Sequence, residues 1–469
     1  MVSEPRENFL AKAKEFLSAD SLLTSADDCA RYGSDWTQTP GAPFAVALPR
    51  STLEVSLILK LCHEFEIPVV PSGGRTGLAG GAVAPHGELV LSLERMRQMA
   101  AVDRASLTVR VQAGATTASV HEHCRPLGLF WPIDLAAKGT SQIGGNLSTN
   151  AGGLRVIRYG MARKWVVGLQ IVTMEGEVIE LNRDLEKNNT GYDLVQLICG
   201  SEGTLAVITE ATLKLQRLPR KSSVFFFPLQ DIAQILNLFE HARRGPFEIL
   251  AFEFFSVACL RVVMERLSRK SRLGDKSPFY ALLEVELADD VAAQEKVDSW
   301  LESLMEAEVV SDGWIAHSSD EQKEIWGLRE GITESLQRTP PVKKYDVSVP
   351  VRALVAFLKS VEDSFEKHHF KISLFLFGHM GDGSPHLNLV KPDGVSLDEF
   401  LQDCNRFEVV LFDLLKKFHG SVSAEHGVGL LKKHWLLFSR TPEEIRIFKA
   451  IKHAFDPKGL LNPGKMIDA

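Results

Sequence analysis

The sequence predicts an α+β protein in two parts, and three observations predict it. Three glycine-rich stretches recur in the first part: PSGGRTGLAGG (Pro71 to Gly81), WPIDLAAKGTSQIGGNLSTNAGG (Trp131 to Gly153) and GSEGTLAVIT (Gly200 to Thr209). After Pro219 the pattern changes to alternating strands and helices of ordinary composition. Within that second part, FGHMGDGSPHLN (Phe377 to Asn388) places two histidines around an Asp-Gly turn signal directly after an apolar run, Ile372 to Phe377.

Residues 5 to 18 read as a short amphipathic helix, followed by a less regular stretch up to Pro49. Ser51 with Glu54 makes a capping box ahead of Leu53, Leu57, Ile58 and Leu61, so residues 52 to 66 are expected as a helix with one apolar face. A strand, Ile67 to Val70, runs into the first loop, whose five glycines demand positive φ or close backbone approach. The loop is neither a Walker A sequence nor a G-x-G-x-x-G opening a helix. Its exposed N–H groups suit a pyrophosphate, with a bare glycine turn as the alternative.

Strands at Glu88 to Leu93 and Leu107 to Gln112 and a helix near 116 to 126 precede the second stretch. Its small side chains would let a large planar ligand lie against the backbone, with Thr140, Ser141, Asn146 and Thr149 offering directed hydrogen bonds. A hairpin is expected at 165 to 173 and 177 to 181 around Gly176, then a glycine turn carrying Glu202 opens another strand. Three such segments fit one extended dinucleotide better than three unrelated turns.

In the second part Val224 to Phe227, Glu248 to Phe254 and Phe279 to Leu287 read as strands, with helices near 230 to 243, 257 to 269 and 290 to 307. That order suggests an antiparallel sheet with helices on one face. A helix at about 319 to 337 holds Trp326, Arg329 and Thr333, the last two sharing a face, and breaks at Pro340-Pro341. Alternation in Val342 to Pro350 puts Lys344 and Asp346 on one strand face.

If Asp382 and Gly383 form a two-residue turn, His379 faces His386 across a hairpin with Cβ atoms about 5 Å apart. Such a pair can close on one metal ion, and Asn388 points the same way. The third ligand is expected from SAEHGVG (Ser423 to Gly429), where Glu425 and His426 sit between small residues. The alternative is a satisfied cross-strand histidine pair and an ordinary surface acid. His121 and His123 face different directions on a helix, and His368 and His369 read as a solvated helix end.

A chain of 469 residues with 45% hydrophobic content can bury sizeable cores. A net charge of −7 without long single-sign blocks argues against nucleic acid as a partner. Six scattered cysteines without C-x-x-C spacing suggest reduced, buried thiols. With no apolar run of membrane-span length, the expected location is cytoplasmic.

The three glycine-rich segments together resemble the FAD domain of the vanillyl-alcohol oxidase/p-cresol methylhydroxylase flavoprotein superfamily. GHMGDGSPHLN, SAEHGVG and the closing LNPGK (Leu461 to Lys465) resemble its 2-hydroxyacid dehydrogenase branch. That branch includes glycolate oxidase subunits, D-lactate dehydrogenases and D-2-hydroxyglutarate dehydrogenases. The resemblance implies an N-terminal segment at 1–39, a two-subdomain FAD-binding domain at 40–219, an α+β cap holding substrate over the isoalloxazine at 220–420, and a C-terminal helical segment at 421–469. It implies cofactor contacts from Pro71, Gly73, Gly74, Arg75, Thr76, Gly77, Pro132, Asp134, Thr140, Ser141, Gly144, Gly145, Asn146, Thr149, Gly152, Gly153, Glu202, Gly203, Ile208 and Asn462. The chain departs from its relatives in Arg75, in Ser384-Pro385 and in Ala206. Members that tether flavin covalently often use a histidine in the first loop, and Arg75 cannot make that bond, so noncovalent FAD is expected.

The same resemblance implies oxidation of a D-2-hydroxyacid by hydride transfer to flavin N5. A divalent ion, zinc ahead of manganese or iron, would be held by His379, His386 and Glu425 and acidify the alcohol. His426 is the expected general base, and Arg329 the grip on the substrate carboxylate, with Thr333, Lys344 and Asn388 also at the substrate. Lys344-Tyr345-Asp346 resembles D-2-hydroxyglutarate dehydrogenases, with D-lactate or glycolate as alternative substrates. Readings of another class are a metal hydrolase with structural glycine loops and a flavin-binding module without turnover. Expected partners are a small hydroxyacid and an electron acceptor, an electron-transfer flavoprotein or the quinone pool; a homodimer stays open.

Overall fold

The computed structural model describes residues 4–268, 271–288, 291–337 and 341–468. Two compact units emerge. The first takes the described residues of Met1–Gly153, Tyr159–Leu218 and Glu425–Ala469, the second those of Leu154–Arg158 and Pro219–Ala424.

The first unit carries two four-stranded sheets. In one, Leu22–Leu23, Ala45–Ala47, Leu89–Ser92 and Val69–Ser72 lie side by side in that order, the last three parallel. Parallel neighbours need a crossover, and the helix Thr52–Glu64 lies in the stretch between Ala47 and Val69. Ser51 Oγ accepts from Glu54 N at 3.2 Å, whereas the Glu54 carboxylate accepts from Arg50 N at 2.7 Å, so the expected box closes one residue early. The buried face is Val55, Ile58, Leu59 and Cys62. Of the expected face Leu53, Leu57, Ile58 and Leu61, only Ile58 is buried, and Leu53 is 66% exposed because the helix turns Val55, Leu59 and Cys62 to the core instead.

The second sheet is antiparallel, in the order Thr108–Gln112, Val207–Lys214, Val166–Val172 and Val178–Leu181. Two sheets in one unit match the expected two-subdomain FAD domain. Phe9, from the helix Glu4–Ala13, joins the same core as Val55 and Val69, so residues 4–39 are part of this unit. The closing segment adds to the parallel sheet: Val69 N donates to Leu460 O at 2.8 Å and Asn462 N to Val69 O at 2.7 Å.

The second unit is built on a seven-stranded antiparallel sheet. Its order is Trp314–Ile315, Lys221–Leu229, Phe279–Leu287, Glu248–Ser256, Ser373–His379, Ser384–Val390 and Val342–Asp346. Helices cover both faces, not one as expected. Phe226 joins the core formed with the helices Val257–Leu267 and Ser319–Gln337. Its neighbour Phe225 points the other way and packs edge-on against Trp300 of the helix Val291–Glu306. Consecutive buried phenylalanines mark a strand with two apolar faces. Leu154–Arg158 belongs here through Arg155, whose guanidinium meets the buried Glu284 carboxylate at 3.1 Å. Pro340 and the expected helix ends at 269 and 290 lie outside the described residues.

All six cysteines are free and buried. Among the described residues no helix is long and apolar enough to cross a membrane.

Candidate active site

All three glycine-rich stretches line one cavity of the first unit. Pro71 to Gly77 come from the first, Gln142, Gly144, Gly145, Asn146, Ser148 and Thr149 from the second, and Glu202, Gly203 and Ala206 to Ile208 from the third. His426 lines it too. A Cβ on Gly74 would lie 2.0 Å from Thr140 O, so only glycine lets these two loops meet. A Cβ on Gly145 would meet nothing within 4 Å, because it would project into open space.

The polar side chains of the second stretch are bonded within the protein, and of the four expected at the cofactor Asn146 and Thr149 line the cavity. Asn146 Nδ2 donates to Thr117 Oγ1 at 2.7 Å, Ser141 Oγ pairs with the same hydroxyl at 3.0 Å, and Thr140 and Thr149 donate to Ala137 O and Gly145 O. These hydroxyls and this amide stitch the loop to itself and to its neighbours. Pro132, Asp134, Thr140, Ser141, Gly152, Gly153 and Asn462 are not among the lining residues. Asp134 pairs with Lys138 at 2.9 Å and backs onto Gly153, and Asn462 Nδ2 ties Gly81 O to Glu202 O. Sequence reasoning missed Ser72 and Gln142. Their Oγ and Oε1 atoms are buried without a hydrogen-bond partner. Orphaned polar atoms on a glycine cradle suit a ligand rich in hydrogen-bonding groups.

Glu202, one of the residues lining the cavity, also has a structural task. Its carboxylate accepts from Val428 N at 2.7 Å and Gly429 N at 2.8 Å, and burial pushes its pKa up against those bonds. It thereby fixes the loop that presents His426 to the cavity. Arg75, at φ +56°, places its guanidinium 4.5 Å from the Tyr32 ring centre and 3.9 Å from Glu94.

In the second unit the histidine hairpin forms with a register other than the expected one. His379 pairs with Ser384 and His386 with Phe377, so Met380 to Gly383 make a four-residue connection. Asp382 Oδ1 accepts from Ser384 N at 3.1 Å, which holds the longer loop. A slip of two residues keeps every side chain on its face. His379 Nε2 and His386 Nε2 therefore still meet, at 3.4 Å.

Each imidazole is backed by a carboxylate. His379 Nδ1 lies 2.6 Å from Glu253 Oε1, and His386 Nδ1 lies 3.6 Å from Asp346 Oδ1. Carboxylates on the Nδ1 side favour protons there, which leaves two Nε2 lone pairs facing each other. That donor set could hold a divalent ion. Glu425 opens the last stretch of the first unit, Glu425–Ala469, and its chain neighbour Ala424 donates its N–H to Asp346 O at 3.3 Å within the second.

Glu253 was not singled out from sequence, although an acid flanked by phenylalanines in the middle of EILAFEFFS needs partners to be buried. Burial raises its pKa, but His379 and Arg329 hold it below the ordinary value. Arg329, 5% exposed, gives its Nε to Glu253 Oε2 at 2.8 Å, while Thr333 is exposed. Lys344 stands opposite Asn388, whose Nδ2 is buried without a partner, and Asp346 stands opposite His386.

Residues 218–466 match the C-terminal domain of the FAD linked oxidases, and residues 43–182 match an FAD binding domain. The chain belongs to the FAD-linked oxidases. It is an FAD-dependent oxidoreductase. Like it over nearly the whole length of both chains is the D-2-hydroxyglutarate dehydrogenase of Stutzerimonas stutzeri, 41% identical over 457 residues, 97% of this chain and 98% of that one. The protein of the same name from Xanthomonas citri pv. viticola is 42% identical over 469 residues, 100% of this chain and 98% of the relative. The solved structure of p-cresol methylhydroxylase with substrate bound shares the fold, with a TM-score of 0.76 at 17% identity, covering 100% of this chain and 98% of that one. For this FAD-linked oxidase the glycine-lined cavity fits the cofactor, on the orphaned Ser72 and Gln142 atoms and the open side of Gly145.

Proposed function

We propose that this FAD-linked oxidase converts D-2-hydroxyglutarate to 2-oxoglutarate, with a divalent ion, zinc ahead of manganese or iron, held by His379, His386 and Glu425. The whole-length likeness to two D-2-hydroxyglutarate dehydrogenases supports the reading. The observation that carries the dicarboxylate is the strand register. Lys344 opposes Asn388, and two residues along, about 7 Å, Asp346 opposes His386. A lysine on the same strand face as the partner of His386, two residues along, suits the second carboxylate of a five-carbon diacid.

FAD, held noncovalently, supplies the acceptor for the hydride that leaves C2. His426 takes the hydroxyl proton as the C2 carbonyl forms, so that proton and hydride together account for the two-electron oxidation. Arg329 grips the carboxylate beside the hydroxyl, and Lys344, Asn388 and Thr333 meet the rest of the substrate. A divalent ion held by His379, His386 and Glu425 would supply Lewis acidity that lowers the hydroxyl pKa. Electrons then pass to an electron-transfer flavoprotein or the quinone pool. Six unpaired, buried thiols support a reducing, cytoplasmic setting.

Anaerobic mixing with D- and L-2-hydroxyacids tests the reading. D-2-Hydroxyglutarate should bleach the flavin band at about 450 nm fastest. Faster bleaching by D-lactate or glycolate would move the assignment to a monocarboxylate enzyme.

A further inference from the structure

We infer that Glu253 is a positioning residue whose single buried carboxylate couples the substrate-gripping Arg329 to the metal ligand His379. The inference rests on the roles proposed above for those two residues. Glu253 sits in the strand Glu248–Ser256, opposite His379 on one side and Leu282 on the other, and is 0% exposed. One oxygen meets His379 Nδ1 at 2.6 Å and the other meets Arg329 Nε at 2.8 Å. The Arg329 guanidinium also lies 4.8 Å from the centre of the Phe377 ring, which is 5.1 Å from the His386 imidazole.

A buried carboxylate is costly in an otherwise apolar strand unless its partners need it. Here each partner gains a different constraint. Accepting from His379 Nδ1 fixes the tautomer with a free Nε2 lone pair, the form that binds a metal. Accepting from Arg329 Nε fixes the guanidinium plane and leaves its terminal nitrogens as donors for a planar carboxylate. Because both oxygens belong to one rigid group, turning the imidazole displaces the guanidinium. Metal affinity and substrate affinity are therefore linked through one side chain.

The test compares zinc affinity, by chelator competition, with KM for D-2-hydroxyglutarate in flavin-loaded protein. Glu253→Gln should weaken zinc binding about 10- to 100-fold and raise KM together, with the flavin band retained. Glu253→Asp should recover part of both. A folded Glu253→Gln with wild-type zinc affinity, or with weakened zinc binding but unchanged KM, overturns the coupling. Should Glu253→Gln not fold, Arg329→Met decides, since it removes no atom from a histidine. Weaker zinc binding in that variant supports the coupling and wild-type affinity overturns it. His379→Ala keeps the two levels apart: if it retains one zinc per chain, the metal assignment fails, whereas its loss beside an unaltered Glu253→Gln sinks only the coupling.

Discussion

His386 pairs across the sheet with Phe377, yet its Nε2 reaches within 3.4 Å of the Nε2 of His379, which pairs with Ser384. Diagonal neighbours on one sheet face can meet in this way when both carry rings. On the proposed ligand set the two Nε2 atoms close on one cation, and either histidine alone should bind it weakly. His379→Ala and His386→Ala are expected to lose the metal and turnover while keeping FAD, because the cofactor cavity is lined by other segments. Glu425→Ala should do the same. Metal analysis beside flavin absorbance checks this, and a full complement of metal in these variants would refute the ligand set.

The histidine face was legible in the sequence because alternation has a period of two, so even a misjudged turn preserved it. The turn itself was not, since Asp-Gly promises a two-residue connection while the Asp382 side chain supports a longer one. Similarly, the glycine segments announced a cradle, but not that Asn146 and Ser141 would bond to Thr117. Such choices depend on a third residue distant in sequence. Glu253 stayed hidden for the same reason: its partners lie 76 and 126 positions away.

Glu202 anchors the loop of His426 through two backbone amides. His426→Ala should retain FAD and metal but slow flavin reduction on the order of 100- to 10,000-fold. Glu202→Ala leaves both amides without their acceptor, at about 1 to 3 kcal/mol each. It should therefore slow reduction as well, through a loosened loop, and lower FAD content as His426→Ala does not. Rapid mixing at saturating substrate measures both. Unchanged reduction in His426→Ala would assign the proton to another group.

Lys465 is 1% exposed and its Nζ lacks a hydrogen-bond partner. Burial pushes its pKa down from 10.5 to about 8, with Glu88 and Asp35 pulling the other way. Between those values the unfolded chain binds more protons than the native one, so this group makes stability rise with pH across the window. A shift of that size is worth about 3 kcal/mol. Lys465→Met should therefore raise Tm at pH 7 and flatten the increase toward pH 10 relative to wild type. Parallel Tm profiles for the two proteins would show that Lys465 is not the group responsible.

The proposed reading gives Lys344 the second carboxylate of the substrate, since it stands opposite Asn388 and two residues from the partner of His386. A charge-assisted contact to a distal carboxylate contributes about 1.5 to 3 kcal/mol. Its loss in Lys344→Ala should lower kcat/KM for D-2-hydroxyglutarate by roughly 10- to 150-fold, at tenfold per 1.36 kcal/mol. D-Lactate has no second carboxylate to miss the cation, so its kcat/KM should hardly move. The ratio between the two substrates cancels any general loss of FAD or folded protein. Equal losses for both would mean that Lys344 supports the sheet edge without reading the substrate.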